Sequence, residues 1–238
     1  MAKKAAPVED PALPGDGRSR RALVLREATR ARILEAARKV FAEHGFHQTA
    51  LPDLLEAADV ARGTFYLHFD SKEAAFAALL EDFLKKLRAS MHPVTTASPE
   101  AARDELLANI ERALAVVDQE RDIARLVLSE VSVPDELRHH INRFMSGAVA
   151  LIERSFTYGQ KLGLARAGDG HLRARFALGV LVEAARLPAT TKRRTAAERS
   201  LLAREVMDFV LAGVLQNPRA IAAATPAVET PARAKRRG

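Results

Sequence analysis

The chain has 238 residues, 48% of them hydrophobic, enough to bury one large or two modest cores, and its lack of cysteine excludes disulfides and thiolate metal sites. The formal net charge is +7 and the excess sits at the ends: residues 1–28 carry six Lys and Arg against four acids and 217–238 carry five against one, while 29–90 balance at nine each. No apolar run approaches a membrane span and the run at 22–25 is too short for a signal-peptide core, so a cytoplasmic protein with no membrane partner is expected.

Residues 1–26, with Pro7, Pro11, Pro14, Gly15 and Gly17 among scattered charges, have no helical period and are expected to form a disordered basic arm. A first helix is predicted from Ala28 or Thr29, with the stripe Ile33, Ala36, Ala37, Val40 and Phe41 ending at a Gly45 cap. Thr49 is placed to cap a second helix that buries Leu51, Leu54, Leu55 and Ala58. Asp59 then interrupts the period, and Asp is among the few non-glycine residues that tolerate a left-handed backbone. After the apolar anchor Val60, the period resumes at Ala61 with Phe65 and Phe69 facing inward. Arg62, Gly63, Thr64, Tyr66 and His68 are left on the outer face.

That outer face suits a DNA reader. Arg bonds guanine edges bidentately, Thr offers a hydroxyl and a methyl, Tyr and His reach phosphate oxygens, and Gly63 lets the backbone approach. Because 29–90 is neutral overall, affinity there depends on local placement of groups such as Arg62 and Lys72, with the basic tails adding sequence-independent attraction.

Asp70 with Glu73 forms a capping-box pattern for a helix over 71–88 that carries Ala75, Phe76, Leu79, Leu80, Phe83 and Leu87 and links two domains. His92-Pro93 and Ser98-Pro99 mark a break, and Ser98 before proline starts a helix running to about Val117. A shorter helix over 122–131 stops before Pro134. A long one follows with Leu137, Ile141, Phe144, Ala148, Leu151, Ser155 and Leu162 on one face, ending near Gly163. Two more, over 171–187 and 196–215, are separated by Pro188 and Lys192-Arg193-Arg194, and no strand is found, so the fold class is all-α. These last two helices are apolar around much of their circumference, through Phe176, Leu178, Val180, Leu181 and Val182 on one and Leu202, Val206, Met207, Phe209, Val210, Leu211, Val214 and Leu215 on the other. Burial within one subunit is one reading; the preferred one is a homodimer built as a four-helix bundle from the two pairs.

The series Ile33-Leu34-Glu35-Ala36-Ala37, Phe41, Gly45-Phe46, Thr49, Ala58, Val60, Gly63-Thr64, Tyr66, His68-Phe69 and Ser71-Lys72-Glu73 resembles the DNA-binding domain of the TetR family of transcriptional regulators. The chain departs from that pattern at Asp59, where glycine is usual, at Ala50 and Ala61, where a hydroxyl residue is usual, and at Leu55, where a small residue is usual. The domains expected are an arm at 1–26, a DNA-binding domain at 27–87 with its motif at about 50–69, a helical effector-binding and dimerisation domain at 98–216, and a disordered basic tail at 217–238. The expected contacts with double-stranded DNA are Thr49, Arg62, Gly63, Thr64, Tyr66, His68 and Lys72; the resemblance is what raises Lys72 from a solvated lysine to a phosphate ligand. The resemblance also implies a small-molecule effector, for which Arg125, Ser155 and Tyr158 are the candidate contacts. No metal or cofactor is expected, since the adjacent His139 and His140 point to different helix faces and form no i, i+4 pair.

The leading expectation is a homodimeric repressor released from a palindromic operator by its effector, with the 71–88 helix as the lever. One alternative is a constitutive or architectural DNA-binding protein whose pocket is filled by side chains. Another is an all-helical enzyme using Glu130 and a nearby His as acid and base, which no nucleophile motif or phosphate loop supports.

Overall fold

The computed structural model describes residues 16–94, 96, 98–128, 133–186 and 194–214. Their regular elements are all helices: α1 (Asp16–His44), α2 (Leu51–Ala58), α3 (Arg62–Tyr66), α4 (Lys72–Ser90), α5 (Pro99–Gln119), α6 (Arg121–Leu128), α7 (Arg138–Lys161), α8 (Gly170–Arg186) and α9 (Ala196–Val214), with one 3-10 turn at Asp135–Leu137. The chain divides into two units, Met1–Leu79 and Leu80–Gly238, and the division falls inside α4.

Helix α1 starts at Asp16, more than two turns before the predicted Ala28, which corrects the arm expected over 16–26. Hydrophobic periodicity could not find this segment because it buries no stripe: Leu23, Val24 and Leu25 are 59%, 61% and 68% exposed. Its Arg, Ala and Leu content favours helix by propensity, and it extends a helix already nucleated by the buried half. The disorder expected at 1–15 and in the 217–238 tail lies outside the described residues, as does Lys192-Arg193.

In the first unit, Ile33, Ala37 and Phe41 of α1 are fully buried with Leu54 of α2, Phe65 of α3 and Phe76 of α4. Phe41, Phe46 and Phe76 form a cluster with ring centroids 5.0–5.5 Å apart, two of the three pairs edge-on. Gly45, at φ +77°, ends α1 in the left-handed region and donates its N–H to Phe41 O. Between α2 and α3, Asp59 takes φ 49° and ψ 55°, the left-handed turn expected of it. There the Asp59 and Val60 N–H groups close α2 on the Glu56 and Leu55 carbonyls.

In the second unit, α7 packs along α8, and α9 contacts both α5 and α8. Small residues let the helices approach: Ala148, Ala174 and Ala177 are buried with Val149, Phe156 and Leu178 in one cluster. Ser98 caps α5 by accepting the Ala101 N–H, with Pro99 at the first helical position, as read from the sequence. Asp118 at the end of α5 is buried between Arg194 (3.5 Å) and Arg199 (3.6 Å) at the start of α9. Arg194 also donates to the Ala184 and Ala185 carbonyls at the end of α8. Burial pulls the Arg194 guanidinium below its usual pKa and the Asp118 charge opposes that pull. This buried group thus joins three helix ends.

Candidate nucleic-acid interface and ligand cavity

Helix α3 is short and anchored from one side. Phe65 is fully buried and Phe69 nearly so, with ring centroids 5.8 Å apart, and Arg30 of α1 lies 5.1 Å over the Phe69 ring. Arg62 and Gly63 are exposed, Tyr66 is 47% exposed, and Thr64 and His68 are half-buried. A Cβ built on Gly63 meets nothing within 4 Å, so nothing inside the chain demands glycine there. The residue that sequence reasoning passed over is Leu67, 72% exposed at the end of α3. Its signal was available, since position 67 lies one turn from Gly63 and Thr64 on the outer side. At the N-terminus of α3, Ala61 supplies no side-chain cap.

Two of the expected DNA contacts are engaged inside the protein. Thr49 is 1% exposed and donates its hydroxyl to Gly45 O at 2.8 Å. The N-cap of α2 is Ala50, not Thr49, and the Asp53 carboxylate accepts the Ala50 N–H at 2.7 Å in place of a capping hydroxyl. Thr49 turns inward because the left-handed Gly45 folds the chain back over the last turn of α1. Lys72 is half-buried; its Nζ donates to Thr49 O at 2.7 Å and Phe46 O at 3.2 Å and lies 4.6 Å over the Phe46 ring. Lys72 therefore clasps the α1–α2 turn with two of its three N–H donors.

A separate cavity of about 180 Å³ lies within the second unit, walled by α5, α7, α8, α9 and by Met91, His92, Val94 and Thr96, which follow α4. Its surface is largely apolar, with Leu106, Ile110, Ile152, Phe156, Leu178 and Met207 among the lining residues. Of the candidates from sequence, Ser155 and Tyr158 lie together on its α7 wall. Arg125 is exposed on α6 and is not part of the lining, because the buried stripe of α6 runs through Ile123, Ala124 and Leu126. Glu130 lies outside the described residues. The rings of His139 and His140 stack at 3.9 Å instead of diverging, because His140 turns to Glu81 (Nδ1 to carboxylate, 3.3 Å).

A polar clip that no local pattern of residues announces closes one edge of the cavity. Asn109 of α5 accepts the His92 N–H at 2.9 Å and donates to the His92 carbonyl at 2.8 Å. Arg112, one turn on, donates to Ser90 O at 3.0 Å and to the Asn109 amide oxygen at 2.6 Å. Together they tie the end of α4 and the residue after the next to α5.

A family model for bacterial regulatory proteins of the tetR family matches residues 33–79, the span that holds the buried aromatic cluster, the Asp59 turn and α3. Residues 33–79 are a tetR-family regulatory domain. Among its relatives, the uncharacterized transcriptional regulator YdgC of Bacillus subtilis is 31% identical over 101 residues, covering 41% of this chain and 52% of that protein. The fatty acid metabolism regulator protein of the same organism is 26% identical over 157 residues, covering 63% of this chain and 78% of its own. The chain thus spans about half the length of one curated relative and three-quarters of another. The crystal structure of the regulator FadR from Bacillus subtilis, in complex with stearoyl-CoA, superposes with a TM-score of 0.60 at 23% identity, covering 77% of this chain and 98% of that one. At that identity the likeness speaks to the fold, in which a helix-turn-helix domain continues through α4 into a second helical domain. No helix among the described residues is long and apolar enough to cross a membrane.

Proposed function

We propose that this protein is a homodimeric transcriptional repressor that binds a palindromic operator and is released by a small molecule. The observation that carries the reading is the exposed face of α3, with Arg62, Gly63 and Tyr66 presented on a helix whose other side is locked by Phe65 and Phe69. A side chain that reads a base edge must be held rigidly and left open to solvent, and this helix is both. Arg62 and Thr64 are assigned to base edges, Tyr66 and His68 to phosphates, and Leu67 to apolar contact with a thymine methyl. In this assignment Lys72 acts first on the α1–α2 turn, and Thr49 supports that turn from within.

The dimer reading is supported by Phe176 of α8 and Phe209 of α9, which are 65% and 70% exposed, with Leu172 and Leu201 46% and 53% exposed. Large apolar side chains left in water on the last two helices call for a second surface. A two-fold dimer would set two α3 helices for successive major grooves, about 34–36 Å apart.

The cavity favours an effector-responsive protein over a constitutive one, whose pocket would be filled by side chains. A ligand acts only by binding one conformation better than the other. Met91 and His92 both line the cavity and follow directly on α4, so an occupant that displaces them works against the Asn109 and Arg112 clip and moves the end of α4. Selection of bound duplexes from a random DNA pool, with and without candidate ligands, tests the whole reading. A two-fold symmetric consensus is expected; recovery of no preferred sequence would refute it.

A further inference from the structure

The cavity narrows the ligand further than the effector reading, on which this inference rests. We infer that it takes a compact, uncharged molecule, one ring with one or two small substituents and a single acceptor oxygen, and neither a long acyl chain nor an anion.

Size gives the first constraint. The cavity measures about 180 Å³. An apolar cavity of about 150 Å³ holds one benzene, so the enclosed part of this one suits a single ring with small substituents. A stearoyl chain has roughly three times the carbons of benzene, so most of it would lie outside that space.

Charge gives the second. Arg103 is the one Lys, Arg, Asp or Glu among the lining residues, and Asp208 already accepts from it at 3.3 Å. Arg112, bonded to Asn109, already holds Ser90 O and the Asn109 amide oxygen and is not among the lining residues. An anion would share Arg103 with Asp208, whose charge already offsets that guanidinium, so its burial is poorly compensated, and a cation meets no carboxylate among the described lining residues.

The third constraint is the polar handle. Asn109 is engaged at both ends by the His92 backbone, and the Ser155 hydroxyl donates to Leu151 O at 3.4 Å. The Tyr158 hydroxyl has no hydrogen-bond partner among the described residues. Tyr158 is half-buried, so water can serve that O–H, and a ligand carbonyl or ether oxygen would take the water's place.

The test is calorimetric titration of the full chain with acetophenone, toluene, benzoate and submicellar stearoyl-CoA. It is repeated on Tyr158→Phe and on the cavity-filling Ala113→Met; Leu106→Phe replaces the latter if it lowers the thermal midpoint. Acetophenone should bind about tenfold or more tighter than benzoate. Tyr158→Phe should weaken acetophenone about two- to tenfold and leave toluene unchanged, and filling the cavity should abolish both. Equal weakening of toluene would overturn the hydrogen-bond assignment. Tighter binding of benzoate or stearoyl-CoA, lost when the cavity is filled, would overturn the ligand class and leave the effector reading standing. Failure of all four to bind would also overturn the class, and the DNA-pool selection, which uses none of these probes, would still decide the regulator reading.

Discussion

Replacing Lys72 by methionine keeps the aliphatic stem and removes the ammonium, which separates two roles for this residue. As a clasp, Lys72 supplies charged hydrogen bonds to Thr49 O and Phe46 O and a cation over the Phe46 ring. Each charged hydrogen bond is worth about 1.5–3 kcal/mol when desolvated, and the ring contact adds about 0.5–1 kcal/mol at an exposed site. Lys72 is only half-buried, so water replaces part of what is lost and salt screens the remainder. The net loss is therefore about 1–3 kcal/mol of local stability. Hydrogen–deuterium exchange read by mass spectrometry on peptides covering 41–54 should accelerate about 5- to 150-fold, with peptides of the second unit unchanged. If exchange there is unaltered while the log-log salt slope of DNA binding falls by about 0.9, Lys72 is a phosphate ligand and the clasp reasoning fails.

Arg62→Ala should cost about 1–3 kcal/mol at one base position and relax preference there, as measured by binding to operator variants; uniform weakening across sequences would make Arg62 a backbone contact. Asp59→Val should destabilise the first unit by about 1–2 kcal/mol in urea titration, because a β-branched residue resists φ 49°, whereas Asp59→Gly should be tolerated. Asp118→Ala leaves the buried Arg194 without its carboxylate and should cost about 3 kcal/mol by urea titration; a loss under about 1 kcal/mol would show that the bonds to Ala184 O and Ala185 O suffice. Phe176→Asp with Phe209→Asp should shift sedimentation from dimer to monomer, and an unchanged dimer would move the interface elsewhere.

What the amino-acid order determined alone was local: helices that bury a stripe, the turn at Asp59, the Ser98 cap and the outer face of α3. These depend on residues a few positions apart, whose geometry the backbone fixes. The exposed start of α1 escaped because a helix that buries nothing leaves no period to read. The inward turn of Thr49, the Lys72 clasp, the Asn109 clip and the absence of Arg125 from the cavity wall were decided by tertiary structure. The Thr49 bond spans only four residues but depends on the left-handed Gly45 turn, while the clasp and the clip join groups 17 to more than 20 residues apart and the Arg125 position depends on which side of α6 its neighbours cover. The cavity belongs to the same class, since its size is set by what four helices and one connecting segment leave unfilled, a quantity that no single stretch of chain encodes.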